Sequence, residues 1–312
     1  MSPLQVFLFG KFRMLDSERS PVRLDSFRAQ ELLCYLLLNR GHPQCRERLA
    51  SQLWGNTATT AESRGQLRKA LWYLQSVLDG NAGSADACLL LVEPGWVQIN
   101  PDSKVWLDVA AFEGAFDLLV DGPSAGLEQH QAESLRSVVE FYQGDLLEGW
   151  YQEWCLFERE RFQYMYLAML DRLMVFCEAR QRYEAGVDYG KRILRYDRAR
   201  EHTHRQLMRL YCLAGNRTAA LRQYEQCMAA LQEELGVGPA RRTTALYELI
   251  RADRLDRPSP VPARTVRRPT GPLPPETPGR QSNLDTLLCD LQRQLQEAIQ
   301  TLDLALSGRW LP

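Results

Sequence analysis

Between residues 176 and 224 the chain repeats itself at an offset of 35. Cys177 pairs with Cys212, Arg182 with Arg217, Ala185 with Ala220 and Tyr189 with Tyr224, while Phe176 pairs with the aromatic Tyr211. A recurring unit of this length cannot bury its apolar face alone and must stack on its neighbour. Around it, from Trp106 to about Arg254, strand signals disappear and apolar residues recur at helical spacing. Half of the chain is thereby committed to stacked helices.

A helix-pair unit of about 34 residues, with a small residue and an aromatic four apart on its second helix, is the tetratricopeptide pattern. The small residue lets two helices approach closely, and the aromatic fills the groove between them. Two clear units with degenerate flanks predict a short solenoid, capped by the helix after Gly238-Pro239. Its groove is expected to serve protein or ligand contact, with Tyr189 and Tyr224 packed between helices.

The first hundred residues follow a different rhythm. Residues 4 to 9 alternate in the strand manner, and 11 to 15 and 21 to 24 read as two more short strands around a polar turn. From Arg28 the period becomes helical, with Leu32, Leu33, Leu36 and Leu37 on the apolar face, and stops at Asn39-Arg40-Gly41. A second helix is predicted over Arg46 to Trp54. A third spans about Ala61 to Leu78, with Leu67, Leu71, Leu74 and Leu78 as its buried stripe. A hairpin then forms around Pro94-Gly95. Strands, three helices and a terminal hairpin give the layout of a winged helix with an extra N-terminal sheet; a small α+β domain without a nucleic-acid role has the same layout.

After Leu255 the composition shifts. Residues 255 to 281 hold eight of the sixteen prolines, with five arginines and two acids, the signature of an extended linker. Leu284, Leu288, Leu291, Leu295, Ala298, Leu302 and Ala305 then recur in alternating steps of four and three. That heptad seam predicts a helix over 282 to 306 that either self-associates or folds back on the solenoid. The fold class is therefore mainly α with a small α+β domain: a winged helix over 1–101, an all-α tetratricopeptide-like domain over 102–254, a linker and a C-terminal helix.

Several function classes are excluded. The longest apolar run, Leu32 to Leu38, is far short of the roughly 20 residues of a membrane span. The first residues lack the basic region of a signal peptide. None of the eight cysteines forms a C-x-x-C pair, so the chain reads as reduced and cytoplasmic. His202 and His204 face different directions on one helix, so no metal site is expected. No phosphate-binding glycine loop, nucleophile elbow or zinc motif is present, and neither an enzyme nor a cofactor is expected. Lys plus Arg is 38 against 39 Asp plus Glu, so nucleic acid could be met only by a local patch.

The third helix carries the best candidate patch. Opposite Leu71, at 100° per residue, lie Gly65, Gln66, Lys69, Trp72, Tyr73 and Ser76, with Arg64 and Arg68 flanking the stripe. Gln66 and Lys69 can address base edges in a major groove; Arg64 and Arg68 can reach phosphates or guanine. Arg46 and Arg48 open the second helix, whose N-terminal amides can cradle a phosphate. Trp72 and Tyr73 read equally as packing residues against the wing or the next domain, the weightier reading for Trp72. Residues 1 to 100 hold 11 Lys/Arg and 9 Asp/Glu, a modest excess that would need dimerisation or polymerase to bind tightly.

Four segments resemble the winged-helix domain of the bacterial antibiotic-regulatory-protein (SARP) type activators: VFLFGKFRM, RAQELLCYLLLNRGHPQCRERLASQLWG, SRGQLRKALWYLQSVL and VEPGWVQIN. The stretch from VWLDVAAFE through FYQGDLLEGWYQEW to the ELGVGP ending and its final helix is similar to their bacterial transcriptional activation domain. The resemblance covers about residues 3 to 252. It implies a sequence-specific activator that binds tandem promoter repeats in double-stranded DNA and contacts RNA polymerase. Arg64, Gln66, Arg68, Lys69 and Tyr73 fall on the family's DNA-facing helix. Trp54 to Thr60 matches the loop that can touch polymerase. Glu93 stands in the wing where relatives often carry Arg, and an acid there repels minor-groove phosphates. The competing reading is a helical-repeat adaptor or ligand-binding protein with the winged helix as scaffold; a basic stripe along Arg46, Arg64, Arg68 and Lys69 favours the first reading, and a deep pocket lined by Tyr189, Tyr211 and Tyr224 the second.

Overall fold

The computed structural model describes residues 4–55, 59–81, 88–120 and 127–254. The linker and heptad helix expected over 255–281 and 282–306 lie outside the described residues. The described chain is mainly helical, with small sheets confined to its first 107 residues.

The N-terminal sheet has the order β2-β1-β6. Strand β1 (Leu4–Phe7) pairs antiparallel with β2 (Arg13–Leu15) and parallel with β6 (Val105–Leu107). The strand expected over 21 to 24 is only a bridge between Pro21 and Leu15. Pro21 has no N–H, so a ladder cannot propagate through it. Strand β6 lies where the sequence pattern reads as already helical. It is three residues long, and its pairing with β1 spans a hundred positions, beyond the reach of local periodicity.

Between these strands sits the winged helix. Helix α1 (Phe27–Leu38) begins at Ser26, whose Oγ accepts from the Ala29 amide. It is buried on nearly every face from Leu32 to Leu37. Helix α2 (Arg46–Trp54) and helix α3 (Thr60–Asn81) pack against one another, and α3 buries Leu67, Leu71, Leu74 and Leu78 as its stripe predicts. A second sheet of order β3-β5-β4 joins β3 (Gln44–Cys45) to the hairpin of β4 (Leu90–Glu93) and β5 (Trp96–Ile99). Gly95 turns that hairpin at φ +90°, a conformation that glycine adopts without a steric cost. Its carbonyl accepts from the Arg46 amide at 2.9 Å, fixing the wing beside the start of α2.

The rest is helical. Helices α4 (Asp108–Val120) and α5 (Gln129–Val139) lead into the long α6 (Glu153–Ala179). The repeat follows. The end of α6 packs with α7 (Tyr183–Tyr196), and α8 (Glu201–Leu213) with α9 (Arg217–Leu235), while α10 (Arg241–Arg251) covers the end. Met208, Cys212, Ala220, Leu246 and Ile250 form the small core beneath that last helix. Arg217 ties it down by donating to the carbonyls of Ile250 and Arg251, two of the acceptors a helix end leaves open. Tyr189 is partly buried, and Tyr224 stacks on Tyr247 with ring centroids 4.2 Å apart. Both tyrosines are thus held between helices, as the repeat predicts.

One hydrophobic core runs from Val6 of β1 to Leu210 of α8, through the winged helix and the helical repeats alike. Three polar devices sit across it. The buried Asp108 carboxylate accepts from the amides of Leu8 and Phe9 at 2.8–3.0 Å. The buried Glu31 of α1 accepts from the indole of Trp54 at 2.7 Å and of Trp154 at 3.4 Å. Glu113 of α4 bridges Arg40 and Arg161. Burial pushes the Asp108 and Glu31 carboxyls above their ordinary values against these hydrogen bonds.

Candidate nucleic-acid interface

The outer face of α3 is set by the inward pull of its leucines. With Leu67, Leu71 and Leu74 buried, Arg64 is left exposed one helical turn before the exposed pair Arg68 and Lys69. Trp72 projects beside them with 71% of its surface exposed. This overturns the packing expected of Trp72. An exposed indole on a helix that could bury it elsewhere is an uncommon surface choice.

Tyr73 does what was expected of Trp72. It is partly buried against the core, and its hydroxyl accepts from the Asp25 amide at 3.0 Å. It thereby holds the segment that leads into α1, while one side of the ring still lines the surface groove. Gln66 is half-buried, and its Oε1 has no hydrogen-bond partner among the described residues. That oxygen is itself buried, so the Gln66 side chain would have to turn outward to meet a base edge.

Two open grooves flank the helix. One, of about 710 Å³, is lined by Arg28, Gln66, Arg68, Lys69, Trp72 and Tyr73 among others. The other, of about 540 Å³, lies between α2, α3 and the wing turn and is lined by Arg46, Glu47, Arg64, Leu67, Arg68 and Gly95 among others. Arg68 belongs to both, so Arg46, Arg64, Arg68 and Lys69 form one continuous basic stripe. Arg48 is exposed on the first turn of α2. Arg64 pairs with Glu47 at 2.7 Å, with both side chains more than half exposed. A pair so open to water is worth at most about 1 kcal/mol and yields readily to a phosphate.

Arg28 escaped the sequence reading. It stands in the first turn of α1, 41 positions before Lys69, yet lines the same groove. A signal was present: the first turn of α1 carries no acid, and a cation there opposes the helix dipole. Within the helix Arg28 is balanced in part by Glu31, whose carboxyl burial raises and Arg28 helps to hold down.

The loop after α2 divides differently from its expectation. Trp54 is buried and bonded to Glu31, so it cannot face a partner. Gly55, Thr59 and Thr60 are exposed, and 56–58 lie outside the described residues. Glu93 is exposed on the wing. Among the described residues no group of His, Cys, Asp and Glu could hold a metal ion, and no helix is long and apolar enough to cross a membrane. Burial raises the thiols of Cys34, Cys155, Cys177 and Cys227, Cys155 and Cys227 to about 11, away from the thiolate that reactive cysteines need.

A winged helix whose α3 bears an exposed basic face is joined through a common core to helical repeats. Residues 107–251 match the family model of the bacterial transcriptional activator domain. A solved structure, Mycobacterium tuberculosis EmbR in complex with a low affinity phosphopeptide, is similar over 82% of this chain and 67% of that chain. Its TM-score is 0.63 at 21% identity, a likeness of fold. No curated protein matches the chain in sequence. The helical region is thus similar to the bacterial transcriptional activator domain, and most of the chain shares its fold with EmbR.

Proposed function

We propose that the chain is a sequence-specific DNA-binding activator whose helix α3 enters the major groove. The observation that carries this reading is the stripe of Arg46, Arg64, Arg68 and Lys69 beside the exposed Trp72. Lys69 and Gln66 address base edges. Arg64 and Arg68 take phosphate or guanine. Arg46 and Arg48, at the start of α2, take the neighbouring backbone. Tyr73 lines the groove and keeps α1 in place beside it. A gel-shift titration at fixed salt tests the reading. Lys69→Ala costs about 1–3 kcal/mol of specific affinity; unchanged affinity in an Arg68→Ala/Lys69→Ala double variant would refute it.

The basic excess of the winged helix is small, so one module binds weakly, and neighbouring modules on tandem promoter repeats supply the missing affinity. The helical domain and the exposed residues Gly55, Thr59 and Thr60 are then placed to meet RNA polymerase. The heptad segment 282–306 is proposed to join copies of the chain. Deleting residues 255–312 should leave binding to one site nearly intact and weaken binding to two adjacent sites. Two-site gel shifts and analytical ultracentrifugation that match the full chain would assign the segment another role.

A further inference from the structure

A second basic site lies in the helical domain, away from α3. Helix periodicity brings Lys191, Leu194 and Arg195 to one face of α7, and Ala219, Arg222, Gln223 and Gln226 to one face of α9. The two faces meet across a cleft of about 360 Å³. Tyr211 of α8 also lines it, and with Leu194 and Ala219 it supplies an apolar surface between the polar walls. Gln223 is buried and held in place: its Nε2 donates to Nδ1 of His204 at 2.7 Å, and Nε2 of His204 lies 2.8 Å from the Arg198 carbonyl oxygen.

The charge of this cleft runs against its surroundings. Residues 101 to 254 hold 24 acids and 20 Lys/Arg. Elsewhere in the domain Arg161, Arg192, Arg198, Arg200, Arg209 and Arg251 each meet a carboxylate. Lys191, Arg195 and Arg222 are exposed and, among the described residues, form no ion pair. Three cations converging on one cleft, in a domain with acids to spare, leave a positive potential that an anion would neutralise.

From this geometry we infer that the α7–α9 cleft binds a small organic anion with an aromatic or aliphatic body. Arg195 and Arg222 reach it from opposite walls and take its carboxylate, sulfonate or phosphate, since guanidinium forks match such groups. Lys191 adds a point charge. Leu194, Ala219 and the Tyr211 ring cover the apolar body. The cleft volume is at the lower end of small-molecule sites, about 300–1,000 Å³, so a compact ligand fits better than a long peptide. The site is independent of the DNA-binding reading.

The aromatic sulfonate anilinonaphthalene sulfonate has this chemistry and fluoresces when bound. Titrated into the full chain, it should bind saturably. Arg195→Ala/Arg222→Ala should weaken binding at least tenfold with unchanged thermal unfolding. Arg172→Ala/Arg242→Ala removes the same charge from exposed positions outside the cleft and should stay within twofold of the native chain. No saturable binding, equal binding by the cleft variant, or an equal loss in the control variant overturns the inference. Saturable binding of a glutamate decapeptide without binding of the sulfonate also overturns it, in favour of an acidic protein segment.

Discussion

Trp72 and Tyr73 are neighbours on α3 with opposite fates. Angular arithmetic puts both on the arc opposite Leu71, and there the sequence stops being informative. What separates them is the segment before α1, which brings the Asp25 amide to the Tyr73 hydroxyl and leaves the indole bare. Helical periodicity specifies a direction from the axis; it does not specify which distant segment arrives there. The charged members of the stripe were legible because long cations on such an arc stay in water whatever lies nearby. Arg28 was not, since its partners in the groove come from another helix. The two rings should separate in experiment. Tyr73→Phe removes one hydrogen bond and should cost about 0.5–1.5 kcal/mol of stability, with little change in DNA affinity. Trp72→Ala touches no core and should stay within about 0.5 kcal/mol in stability while weakening DNA binding. Urea unfolding and gel shifts on both variants decide it; a Trp72→Ala chain with native affinity would remove the indole from the interface.

At the scale of elements, the repeat was legible in its period and less so in its contacts. Ala185 and Ala220 read as the small residues that let helices approach. Ala220 is fully buried, whereas Ala185 is only partly so. In α7 the closest approach is made at Gly186 and Gly190. A methyl on Gly190 would come within 2.6 Å of Leu207 Cδ2 and 2.8 Å of both its Cγ and the Met174 Cε. The 35-residue comparison hides these positions, because Leu221 and Glu225 stand opposite them and a repeat is recognised by what recurs. Gly190→Ala should gain about 1 kcal/mol from helix propensity and lose about 1–3 kcal/mol to overpacking, because Leu207 is fully buried and cannot turn away. The expected result is a lower melting temperature for the full chain by circular dichroism, with Gly186→Ala, whose nearest neighbour is 3.0 Å away, less affected. A Gly190→Ala chain that melts at or above the native temperature would mean that α7 and α8 can slide apart at no cost.

In the whole molecule, the change from strands to helices near residue 101 is a change of element type, whereas packing continues through it. Strand β1 has β6 on one side, so the N-terminal sheet is completed by residues 105–107. The Leu8 and Phe9 amides are satisfied by Asp108. The Phe9 ring lies 4.9 Å from Phe112, 4.9 Å from Tyr142 and 5.5 Å from Phe162. Glu31 loses one of its two indoles if α6 is removed, and Arg40 loses Glu113. None of this can be read from a window of twenty residues, since each pairing joins positions more than seventy apart. A fragment ending at Pro101 would expose Val6, Leu8 and Phe9, all buried in the intact chain. At about 1.5–3 kcal/mol for each large apolar side chain, the loss approaches the whole stability of a domain, about 5–15 kcal/mol. Residues 1–101 alone should therefore melt well below residues 1–258, or without a cooperative transition. The longer fragment retains the complete core from Val6 to Leu210 and should melt in one step. Calorimetry on the two fragments distinguishes the cases. If the short fragment melts cooperatively at the temperature of the long one, the shared core contributes no stability to the winged helix, and the two halves would be coupled only by the chain that joins them. If it does not, a change in the packing of α4 or α6 is felt directly by the sheet and by α1, which stands beside α3.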